Sequence, residues 1–331
     1  MRYRYLGHSG LEVSEISMGT WITIGGTLSE EKSIKLIDKA IHLGINYFDT
    51  ANIYPLGLPN RNSSLPVGES EKLLGKALQK YSRDSYVVST KLYFPGNRSG
   101  NTHANSMGLS RKQIVHHCNE SLKRLGMDYI DIYFCHRFDE YTPLEETLRA
   151  LDDLIRAGKI LYIGVSNWTD RQLKEALEIV NQFGLSRVIA NQVMYNLFSR
   201  EAEDELIPYC EENGTGIIAF SALARGVLTG KYTKNQPFPE NSRGGNLETK
   251  QFASRFLKDN YLDKIEKLNL IAHEYNMRLS QLSLSYLLSE PSVSSCLIGA
   301  TSIEQLEENC LASDIELNED LIQEIKSVIN N

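Results

Sequence analysis

The chain has 331 residues, 41% hydrophobic and 23% charged, an ordinary globular composition with enough apolar sequence for a large core, which excludes a disordered chain. Its formal net charge of −7 excludes a general binder of nucleic acid or anionic membrane, since both require a basic surface. No apolar run has the length of a membrane span and "MRYRYLGHSG" lacks the apolar segment of a signal peptide, so a cytoplasmic protein with a small-molecule partner is expected.

In chain order, "RYRYLGHSGLEVS" reads as a β-hairpin with "GHSG" at its turn. Short β-branched runs bounded by polar residues then alternate with amphipathic stretches. The predicted strands are "SEISMG" (14–19), "INYFDT" (45–50), "YVVSTK" (86–91), "IDIYFCH" (130–136), "ILYIGVS" (160–166), "VIANQV" (188–193), "GIIAFS" (216–221) and "SSCLIG" (294–299). The first helix opens after Ser29 as cap and ends at Gly44, with Ile34, Ile37, Ala40 and Ile41 as its buried stripe. Further helices are predicted from about Glu69, Ser110, Pro143, Asp170, Glu201, Tyr261 or Ser280, Ser302 and Asn318. Strands apolar on both faces with helical crossovers form parallel sheets, and eight such units predict a closed (β/α)8 TIM barrel, plugged at its N-terminal mouth by the hairpin. No G-x-G-x-x-G follows the first strand, against an open dinucleotide-binding sheet. A single domain over 1–331 is expected, with no repeat beyond the βα unit.

The five cysteines are scattered and form no C-x-x-C pair, so reduced, mostly buried thiols are expected, with neither a disulfide framework nor a metal site. His116 and His117 are adjacent, which on a helix points them about 100° apart. That is poor geometry for joint metal ligation, and both are assigned to a helix surface.

Barrels of this kind assemble their sites at the C-terminal ends of the strands. The second strand ends in Asp49 with Tyr54 beyond it, the third in Lys91, the fourth in His136, the fifth in Ser166 and Asn167. The sixth carries Gln192 and the seventh ends in Ser221. Convergence of these polar groups on one rim predicts a catalytic face. Asp, Tyr, Lys and His together suit carbonyl reduction, which creates an alkoxide that must be protonated. A tyrosine donates that proton if a nearby ammonium lowers its pKa from about 10 toward neutral. Lys91 supplies the charge, Asp49 holds it as ion-pair partner, and His136 hydrogen-bonds the substrate oxygen.

The segments "GTW" (19–21), "FDTANIY" (48–54), "STK" (89–91), "FCHR" (134–137), "GVSNW" (164–168) and "NQVMYN" (191–196) resemble, in order along nearly the whole chain, the aldo-keto reductases. "GTWITIGG", "GLSRKQIV", "PLEETLRALDDLI" and "LIGATSIEQLEEN" look most like the branch holding the beta subunits of voltage-gated potassium channels and their bacterial relatives. The resemblance implies NADPH-dependent reduction of aldehydes and ketones, with Tyr54 as proton donor, Lys91 and Asp49 tuning it, and His136 positioning the carbonyl. It implies cofactor contacts from Gly19, Thr20, Trp21 and Asp49. Ser166, Asn167 and Gln192 would hold the nicotinamide carboxamide, and the ring would stack on Phe220. The animal channel subunits carry Asn where this chain has His136, a departure that favours a working reductase. Relatives in the branch are often tetramers or larger, which implies a homo-oligomer.

From Ala224 to Asp259 the chain is Gly-rich and carries seven Lys or Arg against three Asp or Glu, so a basic lid over phosphates is expected. Within it "SALARGVLTGKY" and "NSRGG" resemble the family's cofactor belt, nominating Ser221, Leu223, Arg225, Gly226, Lys231 and Arg243. Gly299 to Ser302 precede a helix whose N-terminal N–H groups suit an anion. By resemblance, Thr301 and Gln305 meet the 2′-phosphate, and Glu308 and Asn309 the adenine. Many relatives carry an arginine where Gln305 stands, so NADPH is expected with NADH tolerated. Trp21, Tyr54, Tyr93 and Trp168 are nominated as aromatic walls of the substrate pocket, and the stretches 55–68 and 94–108 as loops that shape specificity. Two rival functions remain open: a Schiff-base aldolase using Lys91, and a nicotinamide-sensing regulatory partner of a membrane protein.

Overall fold

The computed structural model describes residues 1–55, 67–95, 104–234, 236–240, 242–245 and 249–330. The antiparallel hairpin β1 (Tyr3–Tyr5) and β2 (Glu12–Ser14) comes first, paired Tyr3 to Ser14. It is followed by β3 (Ile16–Gly19), α1 (Glu30–His42), β4 (Tyr47–Asp49), α2 (Glu69–Leu78), β5 (Val87–Leu92), α3 (Arg111–Leu125), β6 (Ile130–Cys135) and α4 (Leu144–Arg156). Next come β7 (Ile160–Ser166), α5 (Asp170–Phe183), β8 (Val188–Met194), α6 (Leu206–Asn213) and β9 (Gly216–Phe220). The chain closes with α7 (Lys250–Ala253), α8 (Asp259–Glu274), α9 (Leu279–Leu288), β10 (Val293–Ile298), α10 (Ile303–Cys310) and α11 (Glu319–Asn330). Strands β3 to β10 form a closed parallel barrel in sequence order, β10 pairing with β3, and helices surround it. Among the described residues no helix is long and apolar enough to cross a membrane.

Period-two alternation along each strand sorts the side chains. Tyr47, Val87, Ile132, Phe134, Ala190, Ile218 and Leu297 fill the barrel interior. Their neighbours Phe48, Val88, Tyr133, Ile217 and Ile298 join the outer core under the helices. Gly164 faces inward between the outward Ile163 and Val165, and it is a glycine because a Cβ there would come within 2.4 Å of the Phe134 ring. Leu6 and Val13 of the hairpin belong to the interior cluster, so the hairpin does plug the barrel. Its tip fits only as glycine, since Gly7 has φ +57 and a Cβ would meet the Gly214 carbonyl oxygen at 2.4 Å.

Helix starts follow their caps: Ser29, Ser110 and Ser302 each accept from the N3 backbone N–H, and Thr169 forms a capping box with Gln172. The first barrel strand begins at Ile16 rather than Ser14, because Ser14 is taken by the hairpin. Glu201–Glu203 is only a 3₁₀ turn ahead of α6, and both α8 and α9 exist where one helix start was in question. The buried stripe of α1 is Ser33, Leu36, Ile37 and Ala40, with Ile34 and Ile41 half-buried, so the face is rotated from the one expected. All five cysteines are buried free thiols. The stretches 55–68 and 94–108 lie largely outside the described residues.

His117 departs from the surface assignment. It sits on the inner face of α3, only 4% exposed, with Nδ1 3.3 Å from Asn52 Nδ2 and Nε2 buried without a partner. Burial, with His116 and Arg124 nearby, pushes its pKa down to about 4. The folded chain therefore stays neutral there while an unfolded histidine takes up its proton near pH 6.5, so stability is lost as pH falls from about 6.5 toward 4. By pH 5 the loss attributable to His117 is about 2 kcal/mol. Urea denaturation at pH 7 and pH 5 checks this: the midpoint drop should shrink in His117→Gln, and equal drops in both proteins would refute the assignment.

Candidate active site

Asp49 closes β4 and Lys91 lies near the end of β5, both pointing inward by the alternation that buries Tyr47 and Val87 in the barrel. Lys91, fully buried, donates from Nζ to Asp49 Oδ2 and, at 2.8 Å, to the Thr50 carbonyl. The β4–β5 register sets Asp49 opposite Ser89, whose Oγ donates to Asp49 Oδ1 at 2.6 Å. Gln192 Nε2 reaches the same oxygen at 3.0 Å from β8, across the barrel mouth. Asp49 is thus held at both oxygens. The Ser89 contact was missed at the sequence level, although the i, i+2 spacing of "STK" carried the signal.

Tyr54 returns over the lysine through a tight turn in which its N–H donates to the Ala51 carbonyl at 3.0 Å. Its ring centre lies 5.2 Å from Lys91 Nζ and 5.9 Å, edge-on, from the His136 imidazole. Phe94 also packs edge-on against that imidazole, at 5.3 Å. His136 Nδ1 is buried without a partner. Burial first, then the charges of Lys91 and Arg137, hold the imidazole pKa well below 6.5, so it is neutral. Burial pulls Lys91 down while Asp49 pushes back. The Tyr54 phenol, expected to be drawn toward neutrality by Lys91, is instead raised well above 10 by burial and by the Asp49 carboxylate. Burial is the larger of the two causes.

These groups stand in a cavity of about 970 Å³, at the upper end of ligand-pocket sizes. Of the nominated residues, Gly19, Trp21, Asp49, Tyr54, His136, Ser166, Asn167, Gln192, Phe220, Ser221, Leu223, Arg225, Gly226, Lys231, Arg243, Gly299, Thr301, Gln305, Glu308 and Asn309 line it. Three do not. Thr20 is fully buried on the outward face shared with Met18, its N–H donating to the Asp49 carbonyl at 3.0 Å. Trp168 is 1% exposed and packs edge-on against Phe138 at 4.9 Å. Tyr93 packs edge-on against Phe94 at 5.1 Å. Phe94, Ile53, Thr23, Met194 and Arg137 line the cavity in their stead.

Strained backbone marks the rim. Asn167 (φ 54), Ser221 (φ 54) and Arg225 (φ 59) adopt left-handed conformations, as does the β-branched Ile22 (φ 68) next to Trp21. Asn167 is fixed by its N–H to the Gln192 carbonyl at 3.0 Å and by Nδ2 to Ser166 Oγ at 3.0 Å.

The donor set fits an anionic dinucleotide. Arg225, Lys231 and Arg243 line the cavity and form no ion pair among the described residues. Burial lowers all three pKa values, Arg243 to about 10, with Arg225 and Lys231 also feeling neighbouring arginines. Arg225 Nε is buried without a partner, and the Arg225 and Arg243 guanidiniums lie 5.7 Å and 5.3 Å from the Trp21 ring. Buried cations without carboxylates call for a bound anion. The start of α10 contributes less than expected, because Thr301 donates its N–H (3.0 Å) and Oγ1 (3.1 Å) to Gln305 Oε1, and the Gln305 N–H is spent on Ser302. Glu308 accepts from Ser280 Oγ at 2.6 Å, which orients its carboxylate.

The Aldo/keto reductase family pattern matches residues 15–330. A rice protein (Oryza sativa subsp. japonica) named probable voltage-gated potassium channel subunit beta is 39% identical, covering 100% of this chain and 97% of its own length. The Arabidopsis thaliana protein of that name is 38% identical over 95% and 92% of the two chains. A Schizosaccharomyces pombe protein named putative voltage-gated potassium channel subunit beta is 36% identical over 99% and 93%. With the barrel, the buried Asp49–Lys91 pair and a match over nearly every residue, the chain belongs to the aldo/keto reductase family, whose members are oxidoreductases that generally bind NAD(P)H.

Proposed function

We propose that the chain reduces small aldehydes and ketones to alcohols with NADPH. The observation that carries this reading is the buried Asp49–Lys91 pair under Tyr54 and His136, in a cavity whose other half holds three cations without carboxylate partners. When bound, the cofactor supplies a hydride to the carbonyl carbon. The neutral His136 offers an N–H to the carbonyl oxygen and fixes its direction. Tyr54, kept protonated by its surroundings, gives its proton to the developing alkoxide, and Lys91 meets the resulting phenolate with positive charge. Ser89 and Gln192 hold Asp49 so that the lysine stays aimed at the phenol.

Arg225, Lys231 and Arg243 are the residues for the cofactor phosphates, and Ser166, Asn167 and Gln192 for the carboxamide. A neutral amide at Gln305 replaces the charged fork that an arginine would offer to a 2′-phosphate, so NADH is tolerated beside NADPH. The test is oxidation of NADPH by the purified protein across an aldehyde panel. Turnover is expected, with Arg243→Gln weakening NADPH binding by about 10- to 100-fold in a fluorescence titration. The names of the three relatives favour a second reading, a nicotinamide-binding regulatory subunit of a membrane channel. Tight NADPH binding without turnover of any carbonyl would select it.

A further inference from the structure

We propose that the substrates are small carbonyl compounds carrying a carboxylate, gripped by Arg137 while the carbonyl meets Tyr54 and His136. This deepens the reductase reading and rests on it. Arg137 follows His136 directly at the end of β6 and lines the same cavity. Its side chain forms no ion pair among the described residues. The guanidinium carbon lies 5.8 Å from the Phe94 ring, and Phe94 meets the imidazole edge-on at 5.3 Å, so one aromatic wall contacts both the cation and the carbonyl-orienting group.

The other charges of the cavity are accounted for. Asp49 is taken by Lys91 and Glu308 is hydrogen-bonded to Ser280, while Arg225, Lys231 and Arg243 belong to the segment that follows β9. The cation beside the reacting groups is Arg137. One guanidinium matches one carboxylate in charge and in its two-toothed geometry, whereas a phosphate monoester carries about −1.5 to −2 and leaves charge unbalanced. Arg137 is exposed at the cavity rim, so a neutral aldehyde leaves its guanidinium to water and the Phe94 ring, whereas a carboxylate engages it in a two-toothed pair.

The experiment compares kcat/KM of the NADPH-loaded protein for a four-carbon ω-oxo carboxylate, its methyl ester, and an aldehyde of similar length ending in phosphate. The wild type should prefer the carboxylate over the ester by about 10-fold or more, and Arg137→Gln should cut that ratio by about 10- to 100-fold, chiefly through KM. Arg137→Lys, which keeps the charge and loses the fork, should fall between. A wild-type ratio near one, or equal losses for acid and ester in Arg137→Gln, overturns the proposal, since a merely structural arginine would not move the ratio. Preference for the phosphate that depends on Arg137 overturns the carboxylate assignment. No turnover of any of the three, ester included, overturns the reductase reading and this inference with it.

Discussion

Tyr54→Phe should reduce carbonyl turnover by about 100- to 10,000-fold while leaving NADPH affinity near wild type. In the proposed mechanism the phenol is the proton source: it lies over Lys91 with its ring centre 5.2 Å from Nζ, and its buried surroundings hold it protonated. Phenylalanine preserves the ring that packs edge-on against His136 and deletes only the hydroxyl. The loss should therefore fall on kcat, because the missing interaction forms with the alkoxide and not with the ground-state carbonyl. Single-turnover reduction of an aldehyde by the NADPH-loaded protein checks this without interference from product release. Equal single-turnover rates for variant and wild type would assign the proton to another group.

Lys91→Met should destabilise the fold by about 3–5 kcal/mol, a loss as large as any single substitution in the barrel is expected to give. Methionine fills much of the volume yet leaves Asp49, 3% exposed, with a buried charge that Ser89 and Gln192 alone must satisfy. The double variant Lys91→Met/Asp49→Asn removes both charges and should recover most of that stability with no recovery of turnover. Urea midpoints for the two variants and the wild type measure it. If the double variant is no more stable than the single one, the cost lies in packing and the ion pair is not what Lys91 contributes.

The inward-facing members of the site were legible because a strand has period two. Once Tyr47 and Val87 are inside the barrel, Asp49, Ser89 and Lys91 must be inside as well, and the same parity carries Gln192 and His136 to the mouth. Thr20 falls outside the cavity lining by the same rule, since it shares the parity of Met18, which faces the outer core. Trp168 and Tyr93 lie beyond strand ends, where no periodicity governs direction, and packing against Phe138 and Phe94 turned them from the cavity. Arg137 lies beyond a strand end too, and only its location in space made it part of the site.

By itself the sequence determined the barrel, its hairpin plug and the rim on which Asp49, Lys91, Tyr54 and His136 gather, because alternation, capping and strand order are local properties of the chain. Tertiary structure alone decided how that group is poised. The phenol is pushed up and not pulled down because burial and the nearby Asp49 carboxylate both disfavour the phenolate, and both come from the folded barrel. The burial of His117 against Asn52, the doubled support of Asp49 and the unpaired cations of the cavity arise from residues far apart in the chain, where spacing carries no information about distance.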